Sequence, residues 1–211
     1  MSATVLAVCV VHADRYDSGR VGLTAIDKRP VDGPVRAAAL GLDGDHVCNT
    51  VDHGGLDKAV YAYGDDEAAR WADELGVPLH NGWFGENLRV AGLPVTDAVI
   101  GEIWRIGGAV LQVSGPRVPC GTFQRWSEQA HWVKRFTVRG DVGAYLRVLT
   151  EGSIAAGDTI DVVSIPDHGV TVRDLFRGTD RNRMRLLLSD EPSLCDYERA
   201  RATKALDRVL R

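Results

Sequence analysis

The chain has 211 residues, enough for one generous domain with a core of its own. Hydrophobic residues make up 45% and charged residues 26%, an ordinary globular composition that excludes disordered and fibrous classes. The formal net charge of -4 excludes an electrostatic nucleic-acid binder, which needs a basic face, and no apolar run approaches the length that crosses a bilayer.

Glycine is abundant up to residue 160, where short β-branched runs alternate with Gly, Asp and Pro, the pattern of short strands joined by tight turns. Strands are expected at 3–11, 20–27, 34–40, 57–63, 86–91, 102–106, 108–114, 143–149 and 158–165. The first of these lacks the basic start of a secretory leader, so a cytoplasmic protein is expected. One helix interrupts the strands at 65–75, where Asp65 or Asp66 caps and Ala68, Ala69, Trp71, Ala72 and Leu75 recur at helical spacing. A second is expected at 122–136, with Phe123, Trp126, Ala130 and Val133 on one side. Beyond residue 165 glycine nearly vanishes and arginine becomes frequent. Thr171-Val172-Arg173-Asp174 reads as a capping box. Helical pieces follow at 171–176, 180–188 and 193–210, with Leu186, Leu187, Leu206 and Leu210 as packing positions. The organisation is a mainly β (α+β) domain at 1–165 and a helical extension at 168–211.

The four cysteines, Cys9, Cys48, Cys120 and Cys195, have no C-x-x-C spacing and read as reduced thiols. Cys120 stands out. It lies in Ser114-Gly115-Pro116-Arg117-Val118-Pro119-Cys120-Gly121, where two prolines fix φ around an arginine whose charge favours thiolate. A small buried hydrophobe is the plain alternative for this thiol. Three further loops accompany it: Gly41-Leu42-Asp43-Gly44-Asp45-His46, Asp52 to Val60, and Trp83 to Leu88. Together they offer cations in Lys58 and Arg117, an amide in Asn87, and backbone N–H groups, a set suited to an anionic, phosphate-bearing ligand whose reactive end meets sulfur. A zinc site built from His46, Cys48, His53 and Cys120 is disfavoured, because H-x-C matches no common structural site. A nucleophilic Cys120 with His53 as base is chemically sensible, but the hydrolase and protease signatures are absent.

The order G-L-x-G-D (Gly41 to Asp45), H-G-G-x-D-K-A-V (His53 to Val60), F-G-E-N-L (Phe84 to Leu88), P-R-x-P-C (Pro116 to Cys120), G-A-Y-L-R-V-L-x-E-G (Gly143 to Gly152) and A-G-D (Ala156 to Asp158) resembles a MOSC domain. The module is named after the C-terminal region of molybdenum cofactor sulfurases. The chain is most similar to its YiiM-like branch, whose three-helix extension the helical tail matches. The resemblance implies a β-barrel with peripheral helices and a molybdenum cofactor, a molybdopterin whose metal is ligated by Cys120. It implies that Asn87 contacts the pterin region and that Lys58 and Arg117 neutralise or orient phosphate or pterin. His53, Asp57 and Glu86 lie in matching motifs, with a turn contact, a turn cap and a salt bridge as their respective structural alternatives. The implied activity is an oxidoreductase that reduces N-hydroxylated compounds, such as hydroxylaminopurine-type base analogues, to amines, a detoxification. Cys120 and His53 stand at its catalytic centre. Since no flavin, haem or iron–sulfur signature occurs, electrons would come from a separate flavoprotein or ferredoxin-type partner. A cofactor or sulfur carrier without turnover is the alternative. Monomer and homodimer both remain open.

Overall fold

The computed structural model describes residues 2–50 and 53–208. Eleven strands and six helices appear among them. The strands are β1 (Thr4–Tyr16), β2 (Leu23–Pro30), β3 (Val35–Ala38), β4 (Gly41–Leu42), β5 (Val60–Gly64), β6 (Leu88–Ala91), β7 (Ile103–Ile106), β8 (Ala109–Pro116), β9 (Ala144–Thr150), β10 (Gly152–Ile154) and β11 (Ile160–Ser164). The helices are α1 (Asp65–Leu75), α2 (Gly121–Ser127), α3 (Trp132–Arg139), α4 (Val172–Arg177), α5 (Arg181–Asp190) and α6 (Asp196–Arg208). The expected positions Asp52 and Leu210 lie outside the described residues.

Eight strands form one sheet in the order β11-β7-β8-β9-β5-β6-β1-β2, and β10-β3-β4 form a second. All neighbours run antiparallel except β5 and β6. One edge of the large sheet, β11, comes round to meet the start of β1, the strand next to the other edge. The Val5 amide donates to Asp158 O at 2.9 Å and the Ile160 amide to Ala3 O at 2.9 Å, joining β1 to the start of β11. This gives the α+β, barrel-like architecture that the short, glycine-punctuated strands imply.

Local chemistry explains several boundaries. Neither Asp65 nor Asp66 caps α1, since the helix already begins at Asp65: Gly64 holds the cap position, Glu67 reaches back to its amide at 3.3 Å, and Gly76 ends the helix at φ 68. The capping box at Thr171 is present: Thr171 Oγ1 accepts from the Asp174 amide at 3.1 Å, and Asp174 Oδ2 accepts from the Thr171 amide at 2.9 Å. Where one helix was expected at 122–136 the structure has two, α2 and α3. Glu128 and His131 adopt positive φ of 54° and 56° between them. Gln124 spans the break, since its side-chain amide donates to Gln129 O and its Oε1 accepts from the Val133 amide at 3.1 Å. The break turns Trp132 and Phe136 into the core, a burial that the regular 122–136 spacing would have denied them.

The core is one contiguous cluster that takes in the sheet and the tail, including Leu175, Met184, Leu187, Leu194 and Ala202. Leu187 is buried and Leu206 packs partly against the cluster, whereas Leu186 faces outward. Around α1, α2 and α3 an aromatic group gathers: Phe136 stacks on Trp71 at 5.7 Å between centroids and meets Phe123 edge-on at 5.1 Å. These contacts clamp α2 and α3 against the sheet. No helix among the described residues is long and apolar enough to cross a membrane.

Candidate functional site

Strand register decides where the site forms. Across β8, β9 and β5, Gly115 lies opposite Tyr145, and Tyr145 opposite Tyr61. The chain leaves β8 at Pro116 and enters the loop that carries Arg117 and Cys120, while His53 and Lys58 precede β5. Loops far apart in sequence therefore meet beside the paired tyrosines. They line a pocket of about 700 Å³ that holds Cys120, His53, Lys58, Arg117, Asn87 and Tyr145.

Cys120 is the residue before α2, half-buried and with extended backbone. Burial would push its thiol up, but the hydrogen bond to His53, the charge of Arg117 and the nearby Phe123 amide outweigh burial and bring it down to about 6. The other cysteines go the opposite way. Burial pushes Cys9 up to about 12, and it also raises Cys48 and Cys195. At neutral pH Cys120 is thus the thiolate of this chain.

His53 lies between two partners, since Nδ1 is 3.2 Å from Tyr145 Oη while the ring also bonds Cys120. Burial raises the Tyr145 phenol to about 12, so it keeps its proton. A phenol donating to Nδ1 leaves the Nε2 proton for the sulfur. Gly54 follows at φ +97, and a Cβ there would lie 2.8 Å from Val47, so glycine is needed where the two pocket-lining loops touch.

Arg117 is buried, with its guanidinium 3.9 Å from the centroid of Phe123. Its Nη1 is buried and has no hydrogen-bond partner among the described residues. A buried guanidinium normally finds acceptors for its donors, so this one is a ready donor for a bound anion or carbonyl. Lys58 lies 4.4 Å from the ring centroid of Tyr197, which α6 brings to the pocket.

Asn87 lines the pocket, yet its side chain is fully engaged. Oδ1 accepts from the Tyr61 amide at 3.0 Å, and Nδ2 donates to Cys9 O at 3.2 Å and Asp45 Oδ2 at 2.8 Å. Asp45 also takes the Val11 amide at 2.9 Å and pairs with buried Lys28. Asn87 thereby ties β5, β1 and the Asp45 loop together around the pocket.

Two expected site carboxylates do not line the pocket. Glu86 is buried and accepts from the Gly82 amide at 2.7 Å, the Phe84 amide at 2.9 Å and Arg89 Nη2 at 2.5 Å. It builds the turn and a buried ion pair, its structural alternative. Asp57 is held by Arg147, with Nε at 2.7 Å, and its carbonyl takes the Ser114 hydroxyl. Three participants were not singled out from sequence: Tyr145, Tyr197, and the Asp17–Arg125 pair. Asp17 also accepts from Thr122 at 2.9 Å and so fastens the start of α2 to the β1–β2 connection. Tyr145 stood inside the G-A-Y-L-R-V-L motif, whereas nothing local marked Asp17 or Tyr197.

Comparison with known proteins gives the chain's family and fold. Residues 49–161 match the family model described as MOSC domain. The chain is 34% identical over 199 residues to YflK of Bacillus subtilis, spanning 92% of this chain and 90% of that protein. A Gibberella moniliformis protein named a reductase is 36% identical over 163 residues, 74% of this chain, but the match spans only 29% of that longer protein. The crystal structure of YiiM from Geobacillus stearothermophilus superposes with a TM-score of 0.78 at 28% identity, covering 97% of this chain and 99% of that one.

Proposed function

The chain belongs to the MOSC domain family, and we propose that it is a molybdenum-cofactor-dependent oxidoreductase that reduces N-hydroxylated compounds to amines with electrons from a separate redox protein. The observation that carries the proposal is the low-pKa Cys120 thiol beside a buried Arg117 whose Nη1 has no partner, both facing one pocket. The likeness to a reductase-named relative supports the reaction class.

The residues fit such a cofactor. A thiolate is a soft ligand suited to molybdenum, and the pocket volume of about 700 Å³ is in the range of cofactor sites. Arg117, with its unused Nη1 donor, and Lys58 supply two cations along the pocket, which suits a pterin bearing a phosphate. Cys120 would hold the metal, and Arg117 and Lys58 would hold the organic part.

When bound, the cofactor supplies the two-electron chemistry that breaks the N–O bond. The balance is R–NH–OH plus two electrons and two protons, giving R–NH2 and water. The protein's part is to position and to manage protons. His53, held by Tyr145 Oη, hydrogen-bonds Cys120 and so steadies the sulfur as an anion. Asn87 and Asp45 hold the surrounding backbone rigid, and Tyr197 offers an aromatic face at the opening. The test is to express the protein in a host that makes the cofactor, measure molybdenum, and assay hydroxylaminopurine reduction with a reduced dye as donor. Wild type should carry molybdenum and turn over; Cys120→Ala should lose both. A Cys120→Ala protein that kept metal and activity would refute the assignment.

A further inference from the structure

β1 runs well past its pairing with β6 and carries Asp14 to the outer part of the β1–β2 ribbon. There Asp14 meets the loop that follows β4. Its Oδ1 lies 2.8 Å from His46 Nε2 and 3.7 Å from Cys48 Sγ. Among the described residues this trio is the one group of three such donors whose ligand atoms lie within 4.8 Å of one another. His46 and Cys48 both line the Cys120 pocket.

We propose that Asp14, His46 and Cys48 bind a borderline divalent cation, zinc being the natural fit, at the rim of the pocket. The donor set is one thiolate, one imidazole and one carboxylate, the mixture zinc accepts in sites with three protein ligands and an open fourth position. Zinc at ordinary bond lengths in a tetrahedron sets neighbouring ligand atoms roughly 3.3 to 3.6 Å apart. The Asp14–Cys48 separation of 3.7 Å is close to that already, and Asp14–His46 has only to open from 2.8 Å. The loop needs little rearrangement, because Asp45, next to His46, is anchored by the Val11 amide, Lys28 and Asn87. Sequence spacing did not favour zinc on His46, Cys48, His53 and Cys120, since H-x-C matches no common structural site; the third ligand proposed here, Asp14, comes from a strand 32 residues before His46. The fourth position would face water or an anionic oxygen of a molecule entering the pocket. This inference does not depend on what Cys120 holds.

Cobalt(II) reports such a site directly through thiolate-to-cobalt charge transfer and tetrahedral visible bands. Reduced, chelator-treated protein titrated with Co2+ should develop both at one equivalent, and Zn2+ should displace them. Cys48→Ser should abolish the charge-transfer band and His46→Ala should weaken binding at least tenfold, while Cys120→Ala leaves the spectrum unchanged. These positions are at the surface or near it, so the variants are expected to fold, and circular dichroism checks this. In parallel, Zn2+ should slow iodoacetamide labelling of Cys48, followed by peptide mass. No thiolate band, a band that survives Cys48→Ser, or one lost only in Cys120→Ala would overturn the proposal.

Discussion

The acidity of Cys120 is the property on which the site turns, and replacing His53 tests its origin. A thiol at about 6 against an ordinary 9.0 favours the folded thiolate by about 4 kcal/mol, at roughly 1.36 kcal/mol per pH unit. The first favourable contribution is the His53 hydrogen bond, followed by the Arg117 charge, both acting against burial. His53→Ala removes the larger of the two and leaves burial in place, so the thiol should move up by at least one unit, and His53→Ala with Arg117→Met should move it further. The assay is the pH dependence of iodoacetamide alkylation, read on the Cys120 peptide in the cofactor-free protein. Wild type should show a midpoint near 6, and at pH 7.5 Cys120 should be about 97% thiolate, against about 3% for an unperturbed thiol. The remaining cysteines are raised by burial, so labelling below pH 8 should be selective. The same shift is a stability statement. Because the folded value is depressed, the stabilisation is complete above the unfolded value near 9 and is lost as pH falls through 6. Urea midpoints of the cofactor-free wild type should therefore rise from pH 6 to pH 8 relative to Cys120→Ala. A wild-type labelling midpoint near 9, or one that His53→Ala leaves in place, would refute the reasoning.

Glu86→Gln removes the nearer of the two carboxylates that face buried Arg89, leaving Asp65 at 3.4 Å, and weakens the turn at Gly82 and Phe84, so urea denaturation should show a loss of about 3 kcal/mol. A loss under about 1 kcal/mol would mean the pair relaxes into water. Phe136→Ala opens a cavity in the middle of the aromatic cluster and should cost about 3 to 5 kcal/mol, measured by thermal and urea unfolding; an undisturbed melting curve would contradict the packing described. Tyr197→Ala should leave stability within about 0.5 kcal/mol, since the ring is largely exposed, while weakening retention of whatever occupies the pocket near Lys58. Equal retention in the variant, measured by dialysis of the loaded protein, would exclude a role for that ring.

Features set by local chemistry were legible in the chain. Nine of the eleven strands, the extent of α1, the Thr171 capping box and the constrained Cys120 loop follow from apolar period, a side-chain cap and proline, each acting over a few residues; the short β4 and β10 did not show in the pattern. Ordered motifs placed His53, Lys58, Asn87, Arg117 and Cys120 in one family pattern, and the fold brings all five to one pocket. Tertiary packing decided the rest. The expected helix at 122–136 breaks because burying Trp132 and Phe136 outweighs continuing the backbone ladder, with Gln124 bonding the freed groups. Glu86 and Asp57 sit in the right motifs, but their carboxylates are taken, Glu86 by Arg89 three residues on and Asp57 by Arg147, which the fold brings from β9. Tyr145 reaches His53 through strand register, Tyr197 reaches Lys58 because the tail shares the core, and Asp14 reaches His46 because β1 overhangs its partner. The sequence by itself determined which groups carry the chemistry. Only the folded chain decided which of them face a ligand and which are consumed in holding the site, because those contacts join residues far apart along the chain.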